Sequence, residues 1–303
     1  MPDYLHTPAQ CPDYALSFPL PFSHRRYFKI LANRLRYRYS TNSPYLSQHT
    51  FASLADIRIE KEEDLSNVKE AHRVIFCKST FVEIVLDYIT TRNSQCILIS
   101  GSDDRNLIKD FDLPEALVLW LCQNNLQTKN AKIMTVPIGL EDLRLGRAGK
   151  VGFHRYDGGG TIINRVLVPP YSDTNPIRRR VVLSCLSKPG IFDVFRQLLD
   201  EPDYFLLTHK YKYVLCLEGN GFDTHRMWET LYRGGFPVLI STPWSRSLEI
   251  FKLPLLLVDN PDDISQEILS DFFERNKSFD PRSCEILWAP YWVNLIASKL
   301  RTI

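Results

Sequence analysis

From Ile57 the chain alternates short apolar runs with stretches of helical character. Val74-Ile-Phe-Cys77 is an unbroken apolar run, the pattern of a strand buried on both faces. Phe81 to Ile89 reads as a helix, and Cys96-Ile-Leu-Ile-Ser100 as a second strand ending in the polar turn Gly101-Ser-Asp-Asp104. The pattern predicts a helix over Pro114 to Leu121, with proline at its first turn, and a third strand over Lys132 to Pro137. Strand, helix, strand, helix, strand is the signature of a parallel sheet with crossover helices.

Glycine and proline then crowd together in Gly158-Gly-Gly160, Pro169-Pro170 and Pro176, which marks a crossing between two halves. The alternation resumes with a strand over Val181 to Leu186, a helix over Ile191 to Leu199 and a strand over Tyr204 to Leu207. Tyr213 to Leu217 predicts a strand, Thr224 to Tyr232 a helix, Pro237 to Ile240 and Leu255 to Val258 two strands, and Ile264 to Phe273 a helix. The expected fold class is therefore α/β, with two similar halves and a cleft between them. Ligands of such sheets bind beyond the carboxyl ends of the strands.

Composition narrows the class of protein. At 303 residues the chain exceeds the roughly 100–200 residues of one domain, so two domains are expected. A formal charge of +2 argues against a protein that coats nucleic acid. No apolar run reaches the roughly 18 residues of a membrane span, and Met1 to Leu20, polar and proline-rich, lacks the pattern of a signal peptide. The seven cysteines form no Cys-x-x-Cys pair, which suits reduced thiols in a soluble cytoplasmic protein. One stretch keeps peripheral contact with a membrane open: Phe22 to Tyr39 places basic residues between aromatic ones. A plain surface helix packing Tyr27, Ile30, Leu31 and Leu35 inward is the favoured reading.

The segment richest in chemistry is Tyr211 to Ile240. A buried strand runs into Glu218-Gly-Asn-Gly221, and Asp223 or Thr224 caps the helix that follows. Gly219 and Gly221 let backbone approach a ligand closely, and the helix start offers unpaired N–H groups to an anion. His225, Arg226 and Glu229 lie three to four residues apart and share one side of that helix. A diphosphate calls for a cation and amide donors, and a ribose calls for a carboxylate; this segment holds all three. Lys188, after the predicted strand Val181 to Leu186, adds a candidate cation, with a plain surface lysine as its alternative. His225 is open between a ligand contact and a structural histidine.

These residues carry a resemblance. Glu-Gly-Asn-Gly-x-Asp-Thr-His-Arg-x-Trp-Glu from Glu218 to Glu229, followed by Gly-Gly-x-Pro-Val, resembles exostosin-type glycosyltransferases, particularly their compact microbial and viral members. Ile99 to Asp104, Trp120 to Asn124 and Val136-Pro-Ile-Gly-Leu-Glu141 resemble upstream segments of the same family. The resemblance covers roughly residues 70 to 245. It implies a GT-B type fold of two Rossmann-like domains facing a central cleft. The acceptor side would be 1–172, the nucleotide-sugar-binding domain 173–285, and 286–303 a helix packing back on the first domain. It implies transfer of a sugar, with inversion, from a nucleotide donor (UDP above others) to a hydroxyl of a glycan or glycoprotein acceptor, with neither cofactor nor metal. The donor would be held by Lys188, Glu218, Gly219, Asn220, Gly221, Thr224, His225, Arg226 and Glu229. A more distant similarity to α1,3-fucosyltransferases, which use GDP-fucose, lacks their Thr-Glu-Lys signature: Asp223-Thr-His-Arg226 stands there instead.

An inverting transfer also needs a base from the domain opposite the donor. Asp104 and Asp103 are the first candidates and Glu141 the reserve, with a solvated turn or a helix cap as the alternative for the two aspartates. Asp110-Phe-Asp112 matches the Asp-x-Asp string of metal-dependent transferases, but it leads into the helix predicted near Pro114 and reads as a cap. No His-Glu-x-x-His, Walker-A or Gly-x-Gly-x-x-Gly motif occurs. A catalytically silent domain that binds a nucleotide sugar or glycan is the alternative function.

Overall fold

The computed structural model describes residues 42–126, 130–145, 149–155, 162–171 and 175–302. The basic stretch Phe22 to Tyr39 and the Gly158 to Gly160 run lie outside these residues. The fold is α/β, with two five-stranded sheets whose strand pairs are all parallel.

The first sheet comprises β1 (Ile57–Ile59), β2 (Val74–Lys78), β3 (Cys96–Gly101), β4 (Leu117–Cys122) and β5 (Ile133–Thr135), paired in that order. Side chains alternate across it as the pleat requires. Ile75 and Cys77 join Val82, Val85 and Ile89 of helix α2 (Val82–Thr90) on one face. Val74 and Phe76 join Phe51 of helix α1 (Gln48–Ser53) on the other. That second face is closed by the end of the chain, helix α8 (Ala289–Leu300), through Ala289, Trp292 and Ile296. Trp292 is fully buried, edge-on to Phe51 at 5.5 Å between ring centroids. The Ala289 amide donates to the Pro44 carbonyl at 2.8 Å.

The second sheet comprises β6 (Ile163–Val168), β7 (Phe192–Val194), β8 (Tyr211–Leu215), β9 (Phe236–Ile240) and β10 (Leu256–Val258), ordered β10-β9-β8-β6-β7. Its helices are α3 (Pro176–Leu186), α4 (Glu201–Thr208), α5 (His225–Tyr232), α6 (Pro243–Ser247) and α7 (Gln266–Asn276). Because β6 lies between β7 and β8, the chain leaves β6 toward one edge and β8 toward the other. Such a reversal opens a crevice at the carboxyl ends of the two strands.

Several expected elements differ. Pro114 to Leu121 is not helical: after a turn it becomes β4, whose Leu117, Trp120 and Leu121 are buried. In Val181 to Leu186 the apolar run suggested a strand, but Asn175 caps the segment by accepting from the Ile177 amide, and Pro176 sets the first turn of α3. Ile191 to Leu199 holds the short strand β7 rather than a helix. Tyr204 to Leu207 is helical, within α4, because Asp200 accepts from the Asp203 amide and Pro202 sits in the first turn. β6 falls in the passage read as a crossing and pairs in the second sheet, so a boundary after residue 172 cuts that sheet. The prolines at 169 and 170 merely follow its end.

Candidate functional site

The reversal of the second sheet gathers residues distant in sequence. Beyond β6 come Tyr171 and then Asn175 and Arg178 in the first turn of α3; beyond β8 comes the turn Glu218 to Gly221. The Tyr171 hydroxyl donates to the Leu215 carbonyl, joining the two strand ends. Arg178 donates from Nε to the Glu218 carbonyl, and Asn175 donates from Nδ2 to the Gly219 carbonyl at 3.1 Å. Both glycines give room to protein side chains: a Cβ on Gly219 would meet Arg178 Nη2 at 2.7 Å, and one on Gly221 would meet Asn124 Nδ2 at 2.7 Å. The Glu218 carboxylate accepts from Thr242 Oγ1 at 2.8 Å, and burial raises its pKa against the pull of Thr242 and Arg178.

Arg226, in the first turn of α5, completes the cationic wall. Its guanidinium lies 4.3 Å from the centre of the Tyr171 ring, and that of Arg178 lies 5.3 Å from it. Arg226 donates to the Tyr204 hydroxyl at 3.1 Å and to the Pro170 carbonyl at 3.2 Å, and among the described residues no carboxylate lies within 4 Å of it. The two guanidiniums, both partly buried around one ring, act against each other electrostatically.

The loops at the carboxyl ends of the first sheet grip the start of α5. Asp223, 6% exposed, accepts from the Ile138 amide at 2.8 Å and from the Trp228 indole at 2.7 Å, while its own amide donates to Asn124 Oδ1 at 2.8 Å. Phe222 donates to Asn106 Oδ1 at 3.0 Å, and the His225 ring contacts the Gly139 carbonyl through Nδ1 at 2.9 Å. Ser102, Asn124 and Gly139, with φ of 68°, 51° and 66°, turn the loops after β3, β4 and β5 toward these contacts. Thr224 caps α5 by its extended backbone alone, without a side-chain bond.

The expected site residues therefore divide. Glu218, Gly219, Asn220, Gly221, Thr224, His225, Arg226 and Glu229 come together where the two sheets' carboxyl-end loops meet. Asp104 joins them from the first half, its Oδ2 accepting from Asn220 Nδ2 at 3.2 Å. Asp103 does not: its carboxylate accepts from the Thr80 amide at 2.9 Å and the Arg105 amide at 3.2 Å, so it holds a turn. Glu141 lies close enough to Glu229 for its charge to add to the rise that burial gives the Glu229 carboxyl. Lys188 follows the far end of α3, a helix 11 residues and so about 16 Å long. Its amine holds the carbonyls of Asp262 and Ile264, so Arg178 rather than Lys188 supplies a cation at the reversal. Asp110 and Asp112 are exposed loop residues.

Tyr171, Asn175, Arg178, Tyr204 and Thr242 escaped the sequence reading. Asn175-Pro176 is the signal that could have found Arg178, since it places an arginine in a helix's first turn at a strand's carboxyl end. No group of three or more potential metal ligands is gathered among the described residues, and none of their helices is long and apolar enough to cross a membrane. The chain matches no protein-family model and no curated protein sequence.

Proposed function

We propose that this chain is a glycosyltransferase of the GT-B kind, which binds a nucleotide sugar against its second sheet and transfers the sugar, with inversion, to a glycan hydroxyl. The observation that carries the reading is the convergence of Arg178 and Arg226 on Tyr171 beside the Glu218 to Gly221 turn. Breaking the anomeric C–O bond loads negative charge onto the leaving diphosphate, and fixed donors aimed there supply the largest share of catalysis. The two guanidiniums and the first N–H groups of α5 are such donors, so a metal ion is not needed for leaving-group departure. Glu229, one turn further along α5, suits the ribose hydroxyls.

Asp104 is the proposed base. It belongs to the first half, faces the turn that holds the donor, and its one bond to Asn220 leaves lone pairs for an acceptor hydroxyl. Glu141 is the second candidate. A thermal-shift panel of UDP-, GDP-, CMP- and dTDP-sugars tests the reading, because a ligand at 100 times its Kd adds about 2.7 kcal/mol of stability. Stabilisation by UDP-sugars above the rest is expected. A flat response across the panel would remove the donor reading.

A further inference from the structure

The seam between the two halves holds a buried acid that the donor reading does not use. Asp223 leads from the Glu218 to Gly221 turn into α5 and is 6% exposed. One of its carboxylate oxygens accepts from the Ile138 amide, in the loop after β5, at 2.8 Å. The other accepts from the Trp228 indole of α5 at 2.7 Å. Its own amide donates to Asn124 Oδ1, in the loop after β4, at 2.8 Å. Two loops of the first half and the start of α5 are thus joined through one residue.

Every one of these partners is neutral. Among the described residues no lysine, arginine or histidine nitrogen lies within 4 Å of the carboxylate. On α5, His225 is turned to the Gly139 carbonyl, and Arg226 to the Tyr204 hydroxyl and the Pro170 carbonyl. From the first half, Asp104 meets Asn220, and Glu141 acts on Glu229; no charged group acts on Asp223. Glu218 and Glu229, by contrast, each have arginines that oppose the effect of their burial. A carboxyl withdrawn from water without a cation favours its neutral form. Burial accordingly pushes Asp223 from the usual 3.8 up to about 7, against the bonds from Ile138, Trp228 and the Thr224 amide.

We propose that Asp223 is a proton-linked clasp, binding a proton when the first-half loops close on α5 and releasing it when they part. Parting returns the carboxyl to water and to its ordinary acidity, so closure is strongest in acid. Closure weakens by roughly tenfold per pH unit as pH rises from the ordinary value toward that of the closed seam, and levels off above it. Parting also draws Gly139 from His225 and Asp104 from Asn220, so the proton sets how firmly the two carboxyl-end surfaces face each other. The clasp goes beyond the donor reading and does not depend on what those surfaces bind.

The test follows the ligand-free full chain by NMR from about pH 5 to about pH 8, as wild type, Asp223→Asn, Asn124→Ala and Glu229→Gln. Two signals are read: the Trp228 indole N–H shift, assigned by its loss in Trp228→Phe, and the protection of the Ile138 amide against hydrogen exchange. In wild type the indole should titrate near neutral pH, and below that midpoint Ile138 protection should fall by roughly tenfold per pH unit. Asp223→Asn should abolish the titration and leave protection flat with pH. Asn124→Ala keeps the carboxyl but loses a bond across the seam, so protection should drop at every pH with its slope retained. Glu229→Gln, which removes the other buried carboxyl of this region, should keep both the titration and the slope. An indole titration already complete below about pH 5 would overturn the proposal, as would Ile138 protection that does not change between about pH 5 and 7. So would a slope lost in Glu229→Gln and kept in Asp223→Asn. Should Asp223→Asn fail to fold, the wild-type midpoint and the slope in Asn124→Ala still decide the matter.

Discussion

In the first sheet the strands lie in chain order, whereas in the second β6 sits between β7 and β8. The consequence is visible at the carboxyl ends. In the first half the turn after β3 is anchored by its own half, Ser102 donating to Gln48 Oε1 at 3.0 Å and Asp103 taken by the amides of Thr80 and Arg105. Asp104 and Asn106 reach across to bind the second half's turn. In the second half the chain parts at the reversal, and two arginines converge there on the Tyr171 ring. The same parallel architecture thus yields one surface that grips and one that is charged to receive. Strand order, more than composition, separates the two.

The largest expected effect falls at Asp104, a first-half carboxylate that accepts from Asn220 of the second half's turn. Asp104→Asn should cut turnover by roughly 10²–10⁴-fold with donor affinity unchanged, as loss of a general base does. Full activity in that variant, with Glu141→Gln inactive, would move the base to the loop after β5. A second contrast lies in how the sheets are covered. The first borrows α8 from the end of the chain, so Trp292→Ala should cost about 3–5 kcal/mol in urea unfolding. A loss under about 1 kcal/mol would show that α8 is dispensable to that core.

A smaller effect comes from pH. Burial raises the pKa of Glu229 above its ordinary 4.5, with Arg233, His225 and Arg226 opposing the rise. A carboxyl raised on folding contributes stability that is complete below the unfolded pKa and is lost as pH rises through the folded one. Ligand-free Glu229→Gln should therefore be at least as stable as wild type at neutral pH and lack that fall. Nucleotide binding should run the other way, weakening in wild type as acid protonates Glu229 and staying flat with pH in the variant. Identical pH profiles for the two proteins would contradict this.

What could be read in the sequence followed from local signals. β2, α2 and β3, and the run from β8 through α5 to β9, carry unbroken apolar stretches or clear caps, and they appear within a few residues of expectation. The misread stretch from β6 to α4 failed because apolar runs in short helices and short buried strands look alike. There the deciding residues were caps, Asn175 and Asp200, rather than the runs themselves. That misreading hid Arg178: on a predicted loop it had no address, while on α3 it lies against a turn 40 residues away.

We place the diphosphate-binding surface of the proposed donor site at the reversal of the second sheet. Calorimetric titration of UDP into wild type, Arg226→Ala and Lys188→Ala tests it most directly. Arg226→Ala should lose about 1.5–3 kcal/mol of binding, roughly ten- to hundred-fold in Kd, as for a charged hydrogen bond. Lys188→Ala, whose amine serves the loop after β10, should bind as wild type does. An Arg226→Ala protein with unchanged affinity, or a Lys188→Ala protein that alone loses it, would place the diphosphate elsewhere.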